Sequence, residues 1–159
     1  MTDFLKRLTL FVLLVSSLVA LLILVSDCAV RSRKPVILKV DDHIKYVFSG
    51  NSHVECSVND RLIDNSINIA TSGEAYLYSY SKIKSLLEYN NQIKTVFIGC
   101  TYGDLHKSLE EKWLFEDMGV VEFVKKYNYI LNSAEKSLIF KHNPKAYIRG
   151  VTKSVILNF

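Results

Sequence analysis

Three short stretches of this 159-residue chain carry residue types that do chemistry. They are Gly50-Asn51-Ser52-His53, Thr71-Ser72-Gly73-Glu74 and Gly99-Cys100-Thr101-Tyr102-Gly103-Asp104. Each follows a run that reads as a strand. A serine placed where a strand ends and a helix begins is a candidate nucleophile. The helix N-terminus favours a developing negative charge, and its free N–H groups can form an oxyanion site. Ser52 has that position, with Asn51 before it and His53 after it. Plainer uses stand beside this one. Ser52 and Glu55 are spaced as a capping box, which would make Ser52 a helix cap. His53 reads equally as a surface or packing histidine.

Other chemistry is easier to set aside. There is no His-Glu-x-x-His, no Cys-x-x-Cys, no histidine pair at metal spacing and no glycine-rich phosphate loop, so no metal or cofactor is expected. Cys28, Cys56 and Cys100 are too few and too scattered for a disulfide framework. Cys56 and Cys100 would approach one another above adjacent strands, and buried thiols are the expectation. Tyr76, Tyr78 and Tyr80 fall on both sides of a helix, as core plus surface, with a carbohydrate-facing role as the other reading.

The elements that must position these turns follow from periodicity. Residues 45–49 are β-branched and aromatic and close on Gly50, which reads as a buried strand. Residues 52–63 read as a short helix and 66–70 as a second strand. Thr71 and Glu74, spaced as a capping box, open a helix to about Tyr89, with Tyr76, Tyr80, Ile83 and Leu87 on one face. Residues 94–100 are the clearest strand. Alternating strands and helices argue for an α/β fold with a parallel sheet, its strands adjacent in the order second, first, third. Residues 109–131 read as helical, with Trp113, Leu114, Met118 and Val121 on the apolar face and a break at Gly119. Residues 154–158 read as a further strand.

Residues 1–34 pose a different question. The run 9–26 contains no charge and is long enough to cross a bilayer core if its flanks snorkel. A cleavable signal peptide is the competing reading. The run is long for one, and its exit, Ser26-Asp27-Cys28-Ala29, lacks the usual small-x-small site. An uncleaved single-pass anchor is expected, with residues 35–159 as one domain, and a short basic stub before the helix points that domain outside the cytoplasm. The net charge of +4 comes mostly from Lys6, Arg7, Arg31, Arg33 and Lys34. Residues 35–159 hold 15 Lys and Arg against 14 Asp and Glu. A domain this close to neutral is not expected to bind nucleic acid.

Residues 47–60, VFSGNSHVECSVND, resemble the first block of the SGNH/GDSL hydrolases, in which Gly-Asp-Ser follows the first strand and the serine is the nucleophile. They are especially similar to membrane-anchored bacterial proteins carrying Gly-Asn-Ser-His. The resemblance covers about residues 46–105. It implies a three-layer, flavodoxin-like parallel sheet, with Ser52 as nucleophile and the Gly73 N–H in the oxyanion hole. It departs at the third block, where Gly99-Cys100-Thr101-Tyr102 has no asparagine, and in Asn51 replacing aspartate. It departs most at the missing Asp-x-x-His block: Ile139 stands three residues before His142, Asp104 is only two before His106, and His43 belongs at the opposite sheet edge. Two functions are therefore expected. One is an esterase or acyltransferase on acyl groups of envelope glycans or lipids, of which this chain would be a truncated piece. The other is a non-catalytic domain of the same plan that binds an envelope component or a membrane partner.

Overall fold

The computed structural model describes residues 2–157. It begins with a continuous helix α1, Thr2–Leu38, about 55 Å long at the usual rise. Its stretch Asp3–Leu22 is long and apolar enough to cross a membrane. Thr9, Ser16 and Ser17 turn their hydroxyls back onto carbonyls three or four residues earlier, so no polar group in this stretch needs a partner outside the helix. The helix does not stop at the basic flank. It runs through position 34 into the domain, where Leu38 is buried.

The chain then alternates: β1 (Tyr46–Ser49), α2 (Ser52–Ser57), a 3-10 turn at Asp60–Leu62, β2 (Ser66–Asn68), α3 (Tyr76–Tyr89) and β3 (Thr95–Ile98). A second 3-10 turn, Tyr102–Leu105, leads into four helices: α4 (Lys107–Phe115), α5 (Asp117–Tyr127), α6 (Ser133–His142) and α7 (Pro144–Leu157). The three strands form one parallel sheet in the order β2-β1-β3, with Val47 opposite both Ile67 and Val96. The expected strand order is therefore what the chain adopts.

The sheet is buried on one face. Val47 and Ser49 point into the protein, whereas Tyr46, Phe48 and Phe97 share the other face, with the Phe48 and Phe97 rings stacked at 4.9 Å. Only α2 approaches that face, held by Asn68 Nδ2, which donates to the carbonyls of Val54 and Val58 (3.1 and 2.8 Å). Phe97 stays 47% exposed.

Three sequence expectations change. Residues 154–157 are helical, not a strand, and Asn158 lies outside the described residues. Ala146, Gly150 and Ser154, small residues four apart, are buried in α7; Gly150 leaves α5 so close that a Cβ would sit 2.8 Å from Val124 Cβ. That periodicity is helical, and packing enforces it. The buried side of α3 carries Tyr78, Ser79, Lys82 and Ser85, while Tyr80 and Leu87 of the expected apolar stripe are exposed. Residues 109–131 break at Glu116, giving α4 and α5, with Leu114 and Val121 buried but Trp113 and Met118 exposed.

Asn90 ties α1 to the rest. Its Nδ2 donates to the Leu38 and Leu86 carbonyls (both 2.7 Å), and its Oδ1 accepts from the Val40 N–H (2.9 Å). The residue is fully buried. Asn90→Ala strands all three backbone groups and is expected to destabilise the domain by about 3 kcal/mol. Denaturant unfolding followed by the emission of Trp113, the chain's one tryptophan, measures this; a change below about 0.5 kcal/mol, the scale of a neutral surface substitution, would remove Asn90 from that role.

Candidate functional site: the turns at the carboxyl edge of the sheet

Because the strands are parallel, the turns after β1, β2 and β3 meet at one edge. Gly50 leaves β1 at φ +147°, and a Cβ there would fall 2.9 Å from the Val54 side chain and 3.1 Å from the Gly99 carbonyl. Only glycine makes this turn. Ser52 then opens α2, so its N–H is one that no helical bond uses. The cap is not Ser52. Asn51 is the N-cap, its Oδ1 accepting from the His53 N–H at 3.0 Å.

The other end of the Asn51 amide reaches across the sheet edge. Nδ2 donates to both carboxylate oxygens of Asp104, at 2.9 and 2.7 Å. Asp104 Oδ2 also accepts from the N–H and the hydroxyl of Thr101, both at 2.7 Å. The Tyr76 hydroxyl donates to the Gly99 carbonyl (3.0 Å) and lies 3.4 Å from the same carboxylate oxygen. Partial burial pushes the Asp104 carboxyl up, but the bonds from Thr101, Asn51 and Tyr76 outweigh it, and the group is held below the ordinary carboxylate range. Burial, then the neighbouring Cys100 and Asp104, push the Tyr76 phenol up, so it stays protonated.

A second link joins α2 to the turn after β2. Glu55 does not complete a capping box. Its Oε2 accepts from the N–H of Ser72 at 2.6 Å and from the Ser72 hydroxyl, and that hydroxyl bond pulls the Glu55 carboxyl down. Gly73 follows at φ +68°, with the Trp113 ring over it: a Cβ would meet Trp113 Cζ3 at 3.2 Å. Thr71 and Glu74 do not cap α3 either. Ala75 is the N-cap, without a side-chain bond. Glu74 instead turns inward, where Lys82 Nζ and Ser79 Oγ both donate to its Oε2 at 2.6 Å, and Lys82 also reaches the Ile69 carbonyl at 2.5 Å. Burial lowers the Lys82 ammonium, opposed by the charge of Glu74. The Tyr127 hydroxyl, 3.4 Å from Thr71 Oγ1, is raised by burial and then by Glu74.

Among the described residues no side chain hydrogen-bonds the Ser52 hydroxyl. His53 is exposed beside it. His43 precedes β1, exposed, and His106 is the exposed N-cap residue of α4. His142 stacks on Phe115 at 4.0 Å and bonds the Leu138 carbonyl. The structure thus brings Asn51, Ser52 and His53 to one turn and Gly73 to the neighbouring one, tied through Glu55 and Ser72, and gives Ser52 no base. Cys28, Cys56 and Cys100 are free and exposed, correcting the expectation of buried thiols: α2 and the turn after β3 lie on the surface. Among the described residues no three His, Cys, Asp or Glu side chains gather as metal ligands.

Sequence reading named Ser52 and Gly73 but missed Asp104, Tyr76, Glu55 and Ser72 as the groups that hold the edge. Asp104 stands 53 residues from Asn51, and no local pattern links them. A carboxylate depressed on folding stabilises above its unfolded pKa, about 3.9, and that stability is lost as pH falls through the lower folded value. Thermal midpoints of the unaltered chain are therefore expected to fall below about pH 4. Asp104→Asn is expected to start less stable at neutral pH and to lose less on acidification. Parallel acid limbs in the two proteins would show that Asp104 is not the clamp.

Comparison with protein-family models, with curated proteins and with solved structures finds no match to this chain, so the roles of these turns follow from their chemistry alone.

Proposed function

We propose that this chain is a single-pass, membrane-anchored protein whose domain, outside the cytoplasm, keeps the plan of the SGNH hydrolases and binds an envelope component without cleaving it. The observation that carries this reading is the state of the polar groups around Ser52. Its hydroxyl has no imidazole or carboxylate partner among the described residues, and both nearby carboxylates are committed: Asp104 to Asn51 and Thr101, Glu55 to Ser72. A serine hydroxyl without a base is a weak nucleophile. The parallel order β2-β1-β3, with the conserved-position turns on one edge of the sheet, supports the flavodoxin-like plan. Residues with open hydrogen-bonding capacity there, Ser52 and His53 above all, supply contacts to a glycan or lipid headgroup.

The second reading is a membrane-anchored esterase or acyltransferase. Its support is positional: Ser52 heads a helix at the end of the central strand, and Gly73, at positive φ, has no recorded acceptor for its N–H. Such a pair of N–H groups is what an oxyanion hole requires. The anchor is supported by α1, whose apolar stretch is exposed throughout and sufficient for a bilayer.

Two measurements test the proposal. A fluorophosphonate probe, which acylates activated serines, is expected to leave the intact chain unlabelled. Labelling that disappears in Ser52→Ala would establish the esterase reading instead. In alkaline carbonate, the full-length product is expected to remain with the membrane pellet. A shortened product in the supernatant would identify residues 1–34 as a removed leader and overturn the anchor.

A further inference from the structure

α5 and α7 touch where Gly150 meets Val121 and Val124 and part beside that contact, leaving a groove of about 710 Å³. Its size lies within the range of small-molecule sites. Met118, Val121 and Ile148 make its apolar lining, and two of them stand open to solvent: Met118 is 80% and Ile148 57% exposed. Exposed apolar side chains gathered between two helices mark a surface that gains by being covered.

The charges around the groove are not balanced. Asp117 accepts from Asn143 Nδ2 at 2.8 Å and sits in the first turn of α5, where the helix dipole favours a carboxylate. Glu122 lies between two lysines: Lys125 donates to its Oε2, and Lys153 Nζ is 4.0 Å from its Oε1. Its carboxyl is accordingly held below the ordinary range, by Lys125 first. Thr152 spends its hydroxyl on the Ile148 carbonyl. Arg149 is left. No carboxylate pairs with it among the described residues, and its neighbour Ile148 belongs to the apolar lining. With Lys153 at the same rim, two lysines share one glutamate and one arginine has none, an excess of positive charge over an apolar floor.

We propose that the α5/α7 groove binds a single-chain anionic amphiphile, its alkyl chain on Met118, Val121 and Ile148 and its carboxylate or phosphate on Arg149. The planar guanidinium offers two parallel N–H donors to either headgroup. The chain contributes by area removed from water and the headgroup by charge, so both halves of the ligand are required. A fatty acid and a lysophospholipid share this chemistry. The site is separate from the Ser52 edge and does not depend on whether that edge binds or cleaves.

The test uses the full chain in phosphatidylcholine nanodiscs with three photoactivatable probes: diazirine-bearing palmitic acid, lysophosphatidic acid and hexadecanol. Cross-linked peptides are mapped by mass spectrometry. Saturable labelling of peptides containing Met118 or Ile148 is expected from either or both anionic probes, and the stronger identifies the headgroup. Ile148→Trp, which fills the groove, is expected to abolish it. Arg149→Gln is expected to weaken it about fivefold, the scale of one charge-assisted contact. Should Ile148→Trp fail to fold, Met118→Glu, at an exposed position, sets a like charge in the groove and is expected to do the same. Labelling confined to α1, hexadecanol labelling equal to that of the acids, or insensitivity to these substitutions would overturn the proposal; the last includes a groove that takes a partner helix instead.

Discussion

The carboxylate of Asp104 does the work of several residues at the sheet edge. It accepts bonds from the side chain that caps α2 and from the backbone and hydroxyl of its own turn, and it lies beside the phenol at the head of α3. A three-stranded parallel sheet with strands of three or four residues has little cohesion of its own. Its turns stay in register because one ionised group has donors on both sides of the central strand. That same commitment is why Asp104 cannot serve as a base for Ser52: an oxygen holding several donors has no lone pair to offer a reacting proton, and its lowered pKa makes it a poor acceptor.

The turn after β2 is held by a different device. Glu74 and Lys82 form an ion pair away from water, with Ser79 and the Ile69 carbonyl completing their hydrogen bonds. A buried pair of this kind contributes little net stability against the cost of desolvation, but loss of either partner leaves a charge without compensation. It therefore fixes how α3 docks. Lys82 must face inward, which turns the serine-rich side of α3 to the core and leaves Tyr80 and Leu87 outside. A polar contact thus overrides the apolar stripe.

The second half of the domain obeys ordinary helix packing. Val120, Val124, Ile139 and Ala146 are almost wholly buried, and the small residues of α7 allow a close approach to α5. Sheet and helices share one core on the Val47 side, while the Tyr46, Phe48 and Phe97 side remains open. The edge that carries Ser52 is thus held by polar clamps, and the apolar groove between α5 and α7 is a separate feature made by the helices alone.

The elements were legible in the sequence where the signal was local. An uncharged run long enough for a bilayer, three strands ending at Ser49, Asn68 and Ile98, and their parallel order all follow from composition, period and short connections. So did the meeting of three polar turns at one edge. What needed the tertiary structure was every choice among equivalent local options. Asn51 caps α2 rather than Ser52 because Asp104, 53 residues away, orients its amide. Glu55 bonds Ser72 rather than closing a capping box because α2 lies against the turn after β2. Residues 154–157 are helical because Ala146, Gly150 and Ser154 have α5 to pack on, though Val155 and Ile156 suit a strand. Spacing records which partners are possible within a turn or two; contacts between distant segments decide which of them form, because burying a polar group without a partner costs more than any local preference returns.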